Sequence, residues 1–319
     1  MRTGRVARAG MAGREKSRGA VVSLRAAIQL LRIPEWPKNL VVFAPAVFSG
    51  RLVDPAVLTR VSVTAAALCL ISSAVYILND LLDVHRDRQH PAKRHRPLAA
   101  GTIAPAAAEW LGAVLIAAGY SLLILADAPA LTWLMVGAYL ALHVAYSTYL
   151  KGKVIVDVLA ISVGFVMRVL IGGSVIGVAV THWLVLCTFL LAAFLGFSKR
   201  RHELMLMGAE AAKHRPVLEF YTEELVDRMS LLTLAVTLTC YILYTVAPET
   251  LARYGTDALV YSSLIVMFAL FRYLFLIHVK RLGNPVEAVY RDRQLALAII
   301  FWLVYVVAVV YTWPALRSA

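Results

Sequence analysis

Acidic side chains are scarce in this chain of 319 residues: 19 Asp and Glu stand against 32 Lys and Arg, and all charged residues together make up only 16%. A soluble domain is about a quarter charged and about half apolar. Here 61% of residues are hydrophobic and the mean hydropathy is +0.74, which excludes a disordered protein and points to lipid as the solvent. Cysteine is also scarce. Cys69, Cys187 and Cys240 lie inside apolar runs with no Cys-x-x-Cys spacing and no histidine partner. That excludes a disulfide framework and a zinc site and leaves them as packing residues. The first 20 residues lack an apolar stretch: Arg2, Arg5, Arg8, Arg14, Lys16 and Arg18 stand among Gly and Ala, so no secretory signal is expected there. Residues 1–24 read as a disordered basic tail on anionic lipid, and 25–319 as a single transmembrane domain without an internal repeat.

The apolar runs are those of an all-α, polytopic membrane protein. A helix needs about 20 mostly apolar residues to cross the hydrocarbon core. Such runs occupy Val61–Leu78, Trp110–Ala126, Ala128–Leu150, Val169–Ser198, Met229–Pro248 and Gln294–Leu316, with Ala258–Val279 interrupted only by Arg272. The run Val169–Ser198 is too long for one span. Joined to the residues from Val154 and broken at Gly177–His182, it gives two. Asn39–Gly50, lengthened by the amphipathic stretch before Pro34, supplies the first, for about nine helices in all. With the N-terminus inside and the C-terminus outside, the inner segments 1–38, 80–104, 151–153, 198–226 and 279–293 carry nine, five, two, five and four Lys or Arg. The outer segments carry only Arg51, Arg60, Arg253 and Arg317. That asymmetry is the positive-inside pattern. The net charge of +13 therefore belongs to inner loops that face anionic lipid and anionic substrates. Its dispersal over five segments argues against nucleic acid.

The densest acidic group closes the second span: Asn79-Asp80-Leu81-Leu82-Asp83-Val84-His85-Arg86-Asp87. Asn79, Asp83 and Asp87 stand four residues apart and share one face if helical. Hard oxygen donors so arranged suit Mg²⁺, which takes one or two carboxylates and completes its shell with water and substrate phosphates. The segment continues into Lys93-Arg94-His95-Arg96-Pro97-Leu98-Ala99-Ala100-Gly101. Cations beside a metal-carboxylate face are what a phosphorylated substrate requires. Arg168 lies deep in its span, where an ionised side chain is costly and faces a polar cavity or a partner. Two readings stand there: contact with a phosphate, or pairing with an acid. Asp157, three turns away on the same helix, is too distant to be that acid and sits near the mouth, placed to touch a ribose or to hold Lys151.

The sequence Asn-Asp-x-x-Asp-x-x-x-Asp, followed by Lys-Arg-x-Arg-Pro-Leu-Ala-x-Gly and preceded by Arg32-Ile33-Pro34-Glu35-Trp36-Pro37-Lys38-Asn39-Leu40, resembles the UbiA-type intramembrane prenyltransferase superfamily. The resemblance implies nine helices around a central cavity open to lipid, with Mg²⁺ at the first aspartate-rich motif. Members that use a prenyl diphosphate carry a second such motif after the sixth span. Here that loop reads Ser198-Lys199-Arg200-Arg201-His202-Glu203-Leu204, with no Asp-x-x-x-Asp. Cations in that place bind phosphate directly. With Trp36-x-Lys38-Asn39, Tyr146 with Lys151, Gly164-Phe165-x-x-Arg168, Gly172-Gly173 and Arg291-Asp292-Arg293, the chain resembles the branch whose members move phosphoribose onto a lipid phosphate.

That branch implies Mg²⁺-dependent transfer of 5-phosphoribosyl from phosphoribosyl pyrophosphate to a polyprenyl, decaprenyl-like phosphate at the cytoplasmic face of the cell membrane. Asn79, Asp83 and Asp87 would hold the metal, with Asp80 in support. Asp83, Asp80, Lys38 and Arg168 would be catalytic. Lys38, Asn39, Lys93, Arg94, Arg96, Tyr146, Lys151, Asp157, Arg168, Lys199, Arg200, Arg291 and Arg293 would bind the two substrates. A prenyl diphosphate donor with an aromatic acceptor is the alternative, and a cation-coupled transporter the non-enzymatic one. A homo-oligomer is compatible with the sequence.

Overall fold

Proline and short polar caps set where the helices begin. Asp54 caps Pro55, its carboxylate accepting the amide protons of Ala56 and Val57 at 2.9 and 3.4 Å. Thr222 caps the helix that starts at Glu223, and Asn284 the one that starts at Pro285. Each cap meets amide donors that a helix start leaves unpaired, and proline at the first helical position loses no bond.

The computed structural model describes residues 24–90, 93–207, 216–280 and 282–317. The basic tail expected over 1–24 lies outside them but for Leu24. The helices are α1 Leu24–Leu31, α2 Ala44–Phe48, α3 Pro55–Leu82, α4 Val84–Gln89, α5 Pro105–Leu125, α6 Ala130–Thr148, α7 Val156–Val175 and α8 His182–Met207. They continue as α9 Glu223–Val246, α10 Pro248–Tyr254, α11 Ser262–His278, α12 Pro285–Arg291 and α13 Arg293–Arg317. Among the described residues there is no strand, and eight helices are long and apolar enough to cross a membrane. The chain is therefore all-α and multi-pass. The expected break at Gly177–His182 falls between α7 and α8.

The expected first span is not one helix. It is α1, then a 3-10 segment over Ile33–Phe43, then α2. Pro34 and Pro37 lack amide protons and force the residues before them out of the α region, and Arg32 takes a left-handed conformation, φ 50°. A 3-10 helix rises about 2 Å per residue, so Ile33–Phe43 covers more length than an α-helix of the same number of residues would.

Helices α3 and α7 bury more than half of their apolar windows and form the centre; α5, α6, α8 and α13 bury under a third. α3 packs along α5, α8 lies against both α7 and α9, and α11 pairs with α13. The outer faces present Trp110, Leu125 and Leu134, as a lipid solvent favours. The 3-10 segment lies in the centre, where Val42 and Ala46 join α3, α5, α6 and α7 in one apolar cluster. Gly172 makes this possible: a Cβ there would lie 2.0 Å from the Val42 carbonyl oxygen. Small residues on membrane helices allow such close backbone approach. Gly172→Ala should thus lower the Tm of the detergent-solubilised protein by several degrees, overpacking costing about 1–3 kcal/mol. Gly152→Ala, where a Cβ meets nothing within 4 Å, should leave it unchanged.

Candidate active site

The helix that carries the acidic cluster ends within it. α3 stops at Leu82, Asp83 takes φ −100° and ψ 6°, and α4 restarts at Val84. The carboxylates consequently divide into two sets rather than forming one stripe. Asn79 and Asp83 face Lys151, whose Nζ lies 2.7 and 2.8 Å from the two Asp83 oxygens and 3.4 Å from Asn79 Oδ1. Asp80 and Asp87, both buried, share one nitrogen of Arg96 at 3.0 and 2.7 Å. Arg32 adds a second cation to Asp80 and lies over the Tyr76 ring.

This division decides which oxygens suit a metal. Among the described residues, no three His, Cys, Asp or Glu side chains gather as a metal cage. Asn79 and Asp83 do converge, and an ammonium already stands among their three oxygens. That donor set fits a divalent ion that relies on substrate oxygens for the rest of its shell. Asp87, expected as a third ligand, is turned to Arg96.

Across from these oxygens stand basic groups from three other elements. Lys38, on the 3-10 segment, pairs with Glu35. Burial works against ionising Glu35, but Lys38, then Lys199 and Arg32, outweigh it and hold its carboxyl below the ordinary range. Lys93 follows α4. Burial, and then Arg96, hold its ammonium below the usual lysine range, against the pull of Asp87, Glu203 and Asp83. Lys199, near the end of α8, is exposed, and Lys38, Glu35, Glu203 and Arg200 stand close enough to act on its charge. Glu203 lies within the field of both Lys93 and Lys199 and close to Tyr146. Among the described residues, neither Lys93 nor Lys199 forms an ion pair.

Arg200 and Asp157 have another task. Both are fully buried, and Arg200 Nε lies 2.8 Å from Asp157 Oδ2. Arg200 also reaches Glu203 at 2.7 Å, and Tyr221 donates to Asp157 Oδ1 at 2.9 Å. Asp157 thus holds Arg200 and Tyr221, not Lys151 or an exposed ribose. Arg200 is shut into the protein, while its neighbour Lys199 is exposed.

Arg168 has no acid partner among the described residues. It is 5% exposed and donates to Asn39 Oδ1 at 2.8 Å, to the Gly164 carbonyl at 2.8 Å and to Tyr139 Oη at 2.6 Å. Its guanidinium faces the Tyr139 and Phe165 rings. Asn39 also accepts from Ser72 and donates to Cys69 Sγ. Of the two expected readings, pairing with an acid does not occur among the described residues: neutral dipoles hold the charge, and Asn39 is bound into that network.

The remaining expected residues lie farther out. Arg94 is exposed and donates to His95. Arg291 pairs with Glu287 at 2.9 Å, and Arg293 is exposed. Asp292, between them, receives two bonds from Arg272 at 3.0 and 2.7 Å, which hold its carboxyl down at about 2. Arg32, Glu35, Tyr139 and Tyr221 were not foreseen. Arg32 and Glu35 had a signal, since both flank Pro34 in the recognised segment. Tyr221 had none, since its partners come from a distant loop and helix.

This chain is similar to several known proteins. The description of the UbiA prenyltransferase family matches residues 40–291. A Mycolicibacterium smegmatis protein named decaprenyl-phosphate phosphoribosyltransferase is 32% identical over 300 residues, covering 89% of this chain and 92% of its own. A Corynebacterium glutamicum protein of the same name is 28% identical over 292 residues, covering 90% and 87%. Among solved structures, a UbiA homolog from Archaeoglobus fulgidus bound to GPP and Mg²⁺ has a TM-score of 0.67 at 18% identity, covering 89% of this chain and 99% of that one. At that identity the likeness is one of fold.

If Asp157 and Arg200 form a coupled buried pair, replacing either alone strands a charge, at about 3–5 kcal/mol. Asp157→Ala and Arg200→Met should each sharply lower stability in detergent, and the double variant should lose less than their sum. Strict additivity would show that the pair is uncoupled.

Proposed function

The chain belongs to the UbiA prenyltransferase family, and from that premise we propose that it transfers a 5-phosphoribosyl group from phosphoribosyl pyrophosphate to a polyprenyl phosphate of the decaprenyl type, releasing diphosphate. The observation that carries the reading is the balance of charge around the chamber. Among the described residues Asn79 and Asp83 converge as metal-type oxygens, whereas Lys38, Lys93, Lys151 and Lys199 gather from four separate segments. Two polyanionic substrates need that surplus of cation, and the sequence supplies it where other members carry a second carboxylate motif. The curated relatives' name agrees with this.

Asn79 and Asp83 would hold the divalent ion, which when bound would neutralise charge on the departing diphosphate. The protein's own part is position and electrostatics. Lys93 and Lys199, uncommitted to any carboxylate in the described structure, are placed to clamp phosphate oxygens. Lys38 is drawn from Glu35 only at the cost of one half-buried pair. The acceptor is already an ionised phosphate, so no strong general base is needed. As the bond to the anomeric carbon breaks, positive charge grows on the ribose, and the neighbouring carboxylates of Asp83 and Glu203 favour it. The lipid tail leaves between helices, where it needs no polar contact. Arg168 and Arg200 act here as positioning residues. The former fixes Asn39 and with it the segment bearing Lys38; the latter fixes the helix turn bearing Lys199.

The inward bias of Lys and Arg supports a site at the cytoplasmic face of the cell membrane, and residues 25–319 act as one catalytic unit. Purified protein given phosphoribosyl pyrophosphate and decaprenyl phosphate with Mg²⁺ should form a lipid-soluble ribosyl phosphate. A chelator or Asp83→Asn should abolish it without changing the solubilised size. Transfer only from a prenyl diphosphate to an aromatic acceptor would replace this reading. Lys199→Ala should raise KM for a phosphorylated substrate with Tm unchanged; an unaltered KM would make Lys199 a topological anchor alone.

A further inference from the structure

Lys151 stands where a metal ion would stand. Its ammonium is held by both oxygens of Asp83 and faces Asn79 Oδ1, and its side chain is largely buried. Arg96 and Arg32 already neutralise Asp80 and Asp87, and Arg86 reaches Asp83 only at 3.8 Å from an exposed position. Lys151 is thus the principal counter-charge of the Asn79–Asp83 pair. Tyr146, on α6, lies close enough to feel the charge of Lys151, as it feels those of Arg200, Asp157 and Glu203.

A divalent ion on these oxygens would repel the ammonium at close range by more than one carboxylate attracts it, so the two compete for the same place. We propose that Lys151 is a displaceable placeholder: it occupies the metal position in the substrate-free protein and is driven off those oxygens as the divalent ion and the diphosphate enter together. This rests on the metal-assisted reading above. Lys151 sits on the short 3-10 turn Leu150–Gly152, and its flexible four-carbon stem lets the ammonium shift by a few ångströms while staying at the site. It then faces the anion that has arrived. Two results follow. The empty site keeps a bare carboxylate from lying exposed in a low-dielectric chamber, and the metal binds weakly until a polyphosphate accompanies it. The donor thus governs metal occupancy.

Mn²⁺ titration of the full-length solubilised protein, followed by electron paramagnetic resonance with and without inorganic pyrophosphate, tests this. Lys151→Met should bind Mn²⁺ about tenfold more tightly than wild type without pyrophosphate, an ordinary size for a coupling between two ligands. The enhancement that pyrophosphate gives should shrink correspondingly. Lys151→Arg, which keeps the charge, should stay near wild type and provides the comparison if the Met variant does not fold: a clear rise in its affinity would overturn the proposal. A purely structural bridge predicts the opposite for Lys151→Met, a lower Tm with Mn²⁺ affinity unchanged or weakened, and that result would also overturn it. If Mn²⁺ binds wild type and Asp83→Asn removes it, the metal reading stands whatever Lys151 does. If no form binds Mn²⁺ even with pyrophosphate, both fall.

Discussion

Charge in this protein is arranged under one constraint: a carboxylate at the end of a lipid-surrounded helix must find its counter-ion within the fold. Water does not reach Asp80, Asp87 or Asp157 in quantity, and each is met by a guanidinium. The guanidinium is the suitable partner because its planar fork serves two acceptors at once, as Arg96 does between α3 and α4 and Arg200 does between Asp157 and Glu203. Lysines, by contrast, collect around the chamber. The sorting is consistent: arginine ties helices together, and lysine faces the space where substrates would lie.

That sorting explains the irregular backbone at the site. α3 breaks at Asp83, which frees that carboxylate from the stripe it would otherwise share with Asp87. The 3-10 segment, made by Pro34 and Pro37, carries Glu35 and Lys38 into the centre instead of along a lipid-facing helix. Ile155, between the Lys151 turn and α7, has φ 66°, an unfavourable conformation for a branched side chain, and its amide donates to Tyr221 at 2.6 Å. The same Tyr221 bonds Asp157, so one phenol secures the strained turn and the buried pair together.

Much of this was legible beforehand. Apolar runs located the helices because lipid imposes both length and composition, and the break between α7 and α8 fell where glycine and a polar patch predicted it. The Asn79–Asp87 cluster and the basic segment after it were visible as residue types that a membrane interior does not otherwise tolerate. What escaped was pairing. Nothing in the spacing of Asn79, Asp83 and Asp87 shows that Lys151 meets the first two while Arg96 claims the third. Those partners lie 9 to 72 residues away along the chain. Arg168 illustrates the limit: its burial was predictable, but its reliance on Asn39, Tyr139 and a backbone carbonyl depends on how three segments cross.

The Arg168 cluster has a bearing on the membrane itself. It lies partway along α7, between the carboxylates at one end of the bundle and, at the other, a cavity of about 430 Å³ bounded by Phe48, Trp183, Tyr244 and Arg253. The carboxylates and that cavity, lined mainly by apolar surface with Glu249 and Arg253 at its wall, lie at opposite ends of the bundle. A permanent positive charge fixed between them raises the electrostatic barrier to protons and metal cations, as an arginine does in water-selective pores. The residue that orders the interior thereby also sets a cation-repelling charge within it.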